Sequence, residues 1–225
     1  MFVGHLAAAL AAKPAEPRVP LSVAVAAAFG LDLLWPLLVL AGVESVRVSP
    51  GDTAFTNLAF ESYPWSHSLL LVLVWSVLAG WLAWRGLFTV RSGVVVGALV
   101  LSHWVLDALT HRPDLPLWPG GPEVGLGIWY SIPATIVLEG TLLAVGLWLY
   151  LRATDARDRV GRWALAAMIA LATLIWITQP WSPPPPSSTA VALGALALWL
   201  FPPWAHWIDK HRTAARDTVR TGRHA

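Results

Sequence analysis

The chain has 225 residues, 56% of them hydrophobic and 12% charged, with a mean hydropathy of +0.61. A soluble domain carries about 25% charged residues, so this is the composition of a membrane protein. A net charge of +2 gives no reason to expect a nucleic-acid partner, and the absence of cysteine excludes disulfides, thiolate metal sites and a cysteine nucleophile.

The expected fold is all-α: a polytopic transmembrane helical bundle of about six spans plus a short N-terminal half-buried helix. Residues 1–225 read as a single membrane domain. Within it, residues 1–127 carry the ionisable groups, 128–208 add membrane helices, and 209–225 form a basic cytoplasmic tail. Residues 1–12 are apolar around His5, lack a preceding basic residue and so make a poor signal peptide. They are too short for a bilayer that needs about 20 helical residues, which suggests a re-entrant or half-buried helix. A turn with Lys13, Pro14, Pro17, Arg18 and Pro20 follows.

Residues 21–43 form the first expected span, with Asp32 in one half and Pro36 one turn later. Residues 44–62 read as a polar loop. The second span, 64–84, carries His67 in its first turn, and the third, 92–111, holds His103, Asp107 and His111. That spacing of i, i+4 and i+8 places three ionisable groups on one helix face. A Pro- and Gly-rich loop over 112–127 contains Asp114, and the fourth span, 128–151, has Glu139 near its middle. An arginine-rich segment over 152–162, a slightly short span over 163–177, a stiff connector containing Pro183 to Pro186, and a last span over 189–208 interrupted by Pro202 and Pro203 complete the membrane part. Trp65, Trp118, Trp129 and Trp181 would mark one membrane interface.

The basic segments 13–18, 85–91, 152–162 and the tail from 209 fall on alternate sides of successive spans, so all of them land on one side. By the positive-inside rule that side is cytoplasmic. The chain is then a multi-pass protein of the cell membrane with a cytoplasmic C-terminus. Asp32, His67, His103 and Asp107, together with His5, fall at one level toward the external face. An ionisable group inside a membrane is expensive and usually faces the protein interior, where it has a task. Histidine and aspartate one turn apart can reach one cation. Plainer roles stand beside this: an arginine partner or kink for Asp32, interfacial positions for His5 and His67, and an exposed rim position for His111. Glu139 suits a general acid or base, a partner for a ligating histidine, or a purely structural role, and Asp114 has solvation as its default.

Four pieces then recur in order: Gly4-His5-Leu6, Gly30-Leu31-Asp32-Leu33-Leu34-Trp35-Pro36, Ser66-His67-Ser68-Leu69-Leu70, and Ser102-His103 through Asp107-Ala108-Leu109-Thr110. With Leu115-Pro116-Leu117-Trp118-Pro119, they resemble the LexA-regulated, YdjM-like family of predicted membrane-bound metal-dependent hydrolases over roughly the first 120 residues. The resemblance implies a divalent-metal site built from His5, Asp32, His67, His103 and Asp107. Leu34 stands where the family has a second aspartate, and Ser62-Tyr63-Pro64-Trp65 stands where it has His-Arg-Gly. The loss of two potential ligands argues for one metal rather than several.

The expected function is therefore a membrane-embedded hydrolase of an ester or phosphoester, with membrane lipid or another amphiphile as its partner at the external leaflet. Zinc suits imidazole and carboxylate ligands, and Glu139 or Asp114 would move the proton. Two other readings use the same residues. One is a transporter or ion- or proton-conducting protein, against which no inverted repeat and no broken helix pair of the usual type is seen. The other is a non-catalytic membrane protein stabilised by metal.

Overall fold

The computed structural model describes residues 1–87 and 89–215. Ten α-helices dominate the described residues: α1 (Val3–Ala15), α2 (Leu21–Ala28), α3 (Gly30–Leu40), α4 (Pro64–His67), α5 (Leu69–Leu87), α6 (Val90–Thr110), α7 (Ile132–Ala153), α8 (Arg159–Thr178), α9 (Ser188–Ala195) and α10 (Phe201–Lys210). Four of them (α5, α6, α7 and α8) are long and apolar enough to cross a membrane alone, as is the continuous stretch Ser188–Lys210. The pair α2–α3 makes a sixth candidate span. The described residues form the all-α bundle expected from composition, with five candidate spans, or six if the bent pair counts as one.

The first span is not continuous. It bends by 51° between α2 and α3. Pro36 lies past the bend and does not cause it. The imidazole of His103 instead engages the Ala28 carbonyl at the break, with Nδ1 2.7 Å from the oxygen, and a side chain entering the backbone ladder is a recognised cause of kinks. A broken span of the kind not expected from the sequence is thus present. The second span is also divided: Ser68 is extended between α4 and α5 (ψ 140°). In the last span, Pro202 and Pro203 begin α10 after a 3-10 turn over Leu196–Leu200, positions where the missing N–H leaves no partner unsatisfied. The fifth expected span, α8, starts earlier than residue 163 because Asp158 caps it, accepting from Gly161 N at 2.9 Å.

Small residues allow close helix contacts. A Cβ at Gly93 would lie 2.6 Å from the Gly80 carbonyl oxygen, so the backbones of α5 and α6 touch at their crossing. The N-terminal helix is buried inside the bundle. It packs along α7, where a Cβ at Gly146 would meet Ala7 Cα at 2.8 Å, and His5, Leu6 and Leu10 are fully buried.

The expected loop 44–62 holds an antiparallel pair, β1 (Ser45–Val48) and β2 (Leu58–Ser62), with Val46 opposite Phe60 and Val48 opposite Leu58. β3 (Leu115–Pro116) pairs with β4 (Glu123–Val124) in the next loop at that end. At the other end β5 (Thr154–Ala156) pairs with β6 (Arg212–Ala214). Arg212 is buried there, donating to the Thr154 and Gly161 carbonyls, so the start of the basic tail is part of the fold. Asp209 accepts from Leu21 N and Ser22 N, Arg91 lies 3.5 Å from Glu16, and His211 pairs with Asp158, which gathers the basic connections at one end of the bundle. Arg216, Arg220, Arg223 and His224 of the expected tail lie outside the described residues.

Candidate metal centre

Three elements bring the ionisable groups of the spans together, and α1 adds a fourth. Asp32 lies just past the bend, on the first turn of α3. His67 ends the single turn α4, and His103 and Asp107 lie one turn apart on α6. His5 comes from α1 and stacks on His103 with ring centroids 3.6 Å apart. His5, His67, His103 and Asp107 are all buried, and the Asp32 side chain keeps 24% of its exposure.

The distances converge on the two carboxylates. His103 Nε2 is 3.1 Å from Asp107 Oδ2 and 3.7 Å from Asp32 Oδ1. His67 Nε2 is 3.6 Å from Asp32 Oδ1 and 3.8 Å from Asp107 Oδ2. His5 Nε2 is 3.2 Å from Asp107 Oδ1. The α-ammonium of Met1 also reaches that oxygen, at 2.5 Å.

The histidine tautomers follow from what lies behind each ring. A backbone carbonyl only accepts, so His103 carries a proton on Nδ1, and as the neutral ring it turns the Nε2 lone pair toward the carboxylates. For His67 the chain has one more link. Glu44 is buried, and its Oε2 accepts from Ser66 Oγ at 2.7 Å. That hydroxyl has a single proton, so toward His67 Nδ1, 2.6 Å away, the Ser66 oxygen accepts. His67 therefore also holds a proton on Nδ1, and as the neutral ring it offers a lone pair at Nε2. Glu44 Oε1 accepts from Trp65 N and Ser66 N as well, which fixes the whole turn that carries His67.

Nitrogen lone pairs aimed at anionic oxygens repel unless a proton or a metal cation lies between them. His103 Nε2 is buried and has no hydrogen-bond partner among the described residues. A four-coordinate ion with ligands at about 2.0–2.2 Å spaces them about 3.4 Å apart, and the separations here run from 3.1 to 3.8 Å. Two groups, His5 with His103 and Asp107, and Asp32 with His67 and His103, have ligand atoms that all lie within 4.8 Å of one another. These buried groups can hold a metal ion.

The remaining candidates have other surroundings. His111 is buried rather than exposed at a rim, because Trp129 and Phe60 cover its ring with centroids 4.3 and 4.9 Å away. Trp129 is correspondingly buried and is not an interface marker. Asp114 is buried behind His111 and accepts from Tyr63 Oη (2.9 Å), Arg112 Nε (2.9 Å) and His111 Nδ1 (3.1 Å). Burial pushes its carboxyl upward, but the bonds from His111, Arg112 and Tyr63 outweigh that and hold it below the usual carboxylate value. Glu139 is fully buried. Its Oε2 accepts from Phe2 N and Gly4 N at the start of α1, and its Oε1 has no hydrogen-bond partner among the described residues.

A cavity of about 430 Å³ joins these groups. Asp32, His67, Asp107, His111 and Glu139 line one part of it, and Phe55, Leu198 and Phe201 give it apolar walls. Pro183 and Pro185 of the polyproline connector also line it, a role that their sequence context does not suggest.

A family model described as YdjM inner membrane protein matches residues 2–182. The chain belongs to that family. The match includes α7 and α8 and so extends beyond the first 120 residues that carry the recognisable motifs. Neither a curated protein nor a solved structure matches the chain. With its family and its apolar helices, the chain is a membrane protein.

Proposed function

We propose that this family member is a metal-dependent hydrolase of the cell membrane, acting on an ester or phosphoester of a lipid or similar amphiphile at the external leaflet. The single observation that carries the reading is the pair of Nε2 lone pairs, on His67 and His103, turned by their buried partners toward Asp32 and Asp107. Zinc suits this donor set of neutral imidazole and carboxylate. His67, His103, Asp32 and Asp107 would hold the ion, with His5 beside them.

When bound, a divalent ion supplies Lewis acidity for the ester and acidifies water. The chain's residues do the rest. Glu139 lines the shared cavity, and in this reading it takes the proton of the attacking water and returns it to the leaving oxygen. Asp114 is engaged behind His111 and acts through that ring. Phe55, Leu198 and Phe201 accommodate an apolar chain and limit water beside the carboxylates. The bundle end that gathers the basic connections suits the cytoplasm, which leaves the cavity toward the outer face.

Purified protein in detergent, assayed on a panel of fluorogenic carboxylic esters and phosphodiesters of differing chain length, tests this reading. Product release should stop with chelator, return with zinc and be lost in Asp107→Asn. Zinc-loaded protein that cleaves none of the panel would overturn it.

A further inference from the structure

The cavity beside the carboxylates reaches the surface on one side of the bundle. Five of its lining residues are exposed: Ile175, Ser182, Pro183, Gly194 and Ala197. The others are buried or partly buried, including every carboxylate and histidine among them. All five exposed residues come from the end of α8, the polyproline connector and the last span, so the mouth lies between α8 and α9. α8 packs on α10 and α9 packs on α3, and the two part toward this end of the bundle. Ile175, Gly194 and Ala197 belong to stretches apolar enough to cross a membrane, whereas Ser182 and Pro183 lie just beyond them. The mouth therefore straddles the edge of the apolar zone. One edge is apolar. The other carries Asn57, Gln179 and Ser182, and Asn57 Nδ2 donates to the Ser182 carbonyl at 3.4 Å, which ties the β1–β2 turn to the connector above the mouth. Trp181, next to Ser182 and 67% exposed, suits the headgroup level.

We propose that the mouth between α8 and α9 is a lateral portal, through which a lipid enters from the bilayer with one acyl chain. Phe55, Leu198 and Phe201 wall the cavity behind the mouth and take the first carbons of that chain. A volume of about 430 Å³ stands near the lower end of the range for ligand pockets, about 300–1,000 Å³. It holds the linkage and the near part of one chain, and leaves the rest of the lipid in the bilayer. Gly194 and Ala197 set the width. A Cβ at Gly194 would meet nothing within 4 Å, so the portal is open there because a side chain is missing. The portal gives the proposed hydrolase its substrate class, a membrane-resident lipid ester rather than a water-soluble one, and as a substrate route it rests on that reading.

Photolabelling of the full chain in vesicles tests the portal without reading turnover. The vesicles are phosphatidylethanolamine and phosphatidylglycerol, doped with a phosphatidylethanolamine that carries a diazirine near the ester end of one acyl chain, and adducts are mapped by mass spectrometry. Wild type should carry adducts on Phe55 and Phe201, which are buried in the cavity wall. In Gly194→Trp these should fall about tenfold, equivalent to about 1.4 kcal/mol of binding, while adducts at Val77 and Trp81 on the exposed face of α5 persist. Ile175→Trp narrows the same mouth from its other edge and serves if Gly194→Trp does not fold. Adducts confined to the outer faces of the bundle, or equal labelling of Phe55 and Phe201 in a folded mouth variant, would overturn the portal. Labelled Phe55 and Phe201 in zinc-loaded protein that cleaves no ester would leave a lipid portal standing and overturn the hydrolase alone.

Discussion

Glu44 acts on His67 through one hydroxyl: its Oε2 accepts from Ser66 Oγ at 2.7 Å, and Ser66 Oγ lies 2.6 Å from His67 Nδ1. A carboxylate can only accept, so this chain sets which ring nitrogen of His67 is free. Replacing Glu44 with glutamine introduces a donor and allows the hydroxyl to turn round. Glu44→Gln should bind zinc 10- to 100-fold more weakly, the usual effect of disturbing a group behind a ligand, and Ser66→Ala should do the same. Competition titration against a chromophoric chelator reads the affinity, and circular dichroism checks that the helices persist. Wild-type affinity in both variants would refute the relay.

Glu139 serves two purposes that one substitution can separate. A glutamine still offers an oxygen to Phe2 N and Gly4 N, so α1 stays in place, but it cannot take a proton. Glu139→Gln should keep its zinc and lose about 10²- to 10⁴-fold in hydrolysis rate, the ordinary contribution of a positioned base. Loss of metal in parallel with activity would mean that Glu139 only anchors α1.

The α5–α6 crossing depends on bare backbone. Gly93→Leu forces a side chain against the Gly80 carbonyl and the Trp84 Cβ, and overpacking of this kind costs about 1–3 kcal/mol. The midpoint of thermal unfolding in detergent should fall. Gly86→Leu, on the same hairpin but with open space around it, should leave the midpoint unchanged.

A chain without cysteine suits single-cysteine labelling. Ser187→Cys, beside the polyproline connector, should react with a membrane-impermeant maleimide on intact cells. Arg157→Cys should react only after the membrane is opened. The reverse pattern would put the cavity on the cytoplasmic side.

Much of the arrangement was legible because charge is rare in this sequence. Asp32, His103 and Asp107 stand out in apolar runs, and burial of such groups demands partners, so their convergence could be anticipated from depth alone. The bend before Asp32 could not. Apolar periodicity runs through residues 21–43 without interruption, and the kink depends on a ring from α6 that sequence distance conceals. Glu44 and His111 were obscured for a related reason. Each lies at the end of a span, where a polar residue is normal, and only the folded loops bury Glu44 beneath α4 and His111 beneath Trp129 and Phe60. Asp114 shows the same effect in reverse, a carboxylate in a Pro-rich loop that the fold places behind a histidine.

The proposed metal site stands or falls with Asp107 and His103, one turn apart on α6. Elemental analysis of protein purified without added chelator tests it most directly, with His103→Ala and Asp107→Ala prepared in parallel. Stoichiometric zinc or another divalent metal is expected in wild type, with its loss in both variants and a lower unfolding temperature when wild type is treated with chelator. Wild-type protein free of metal, with stability unchanged by chelator, would contradict it.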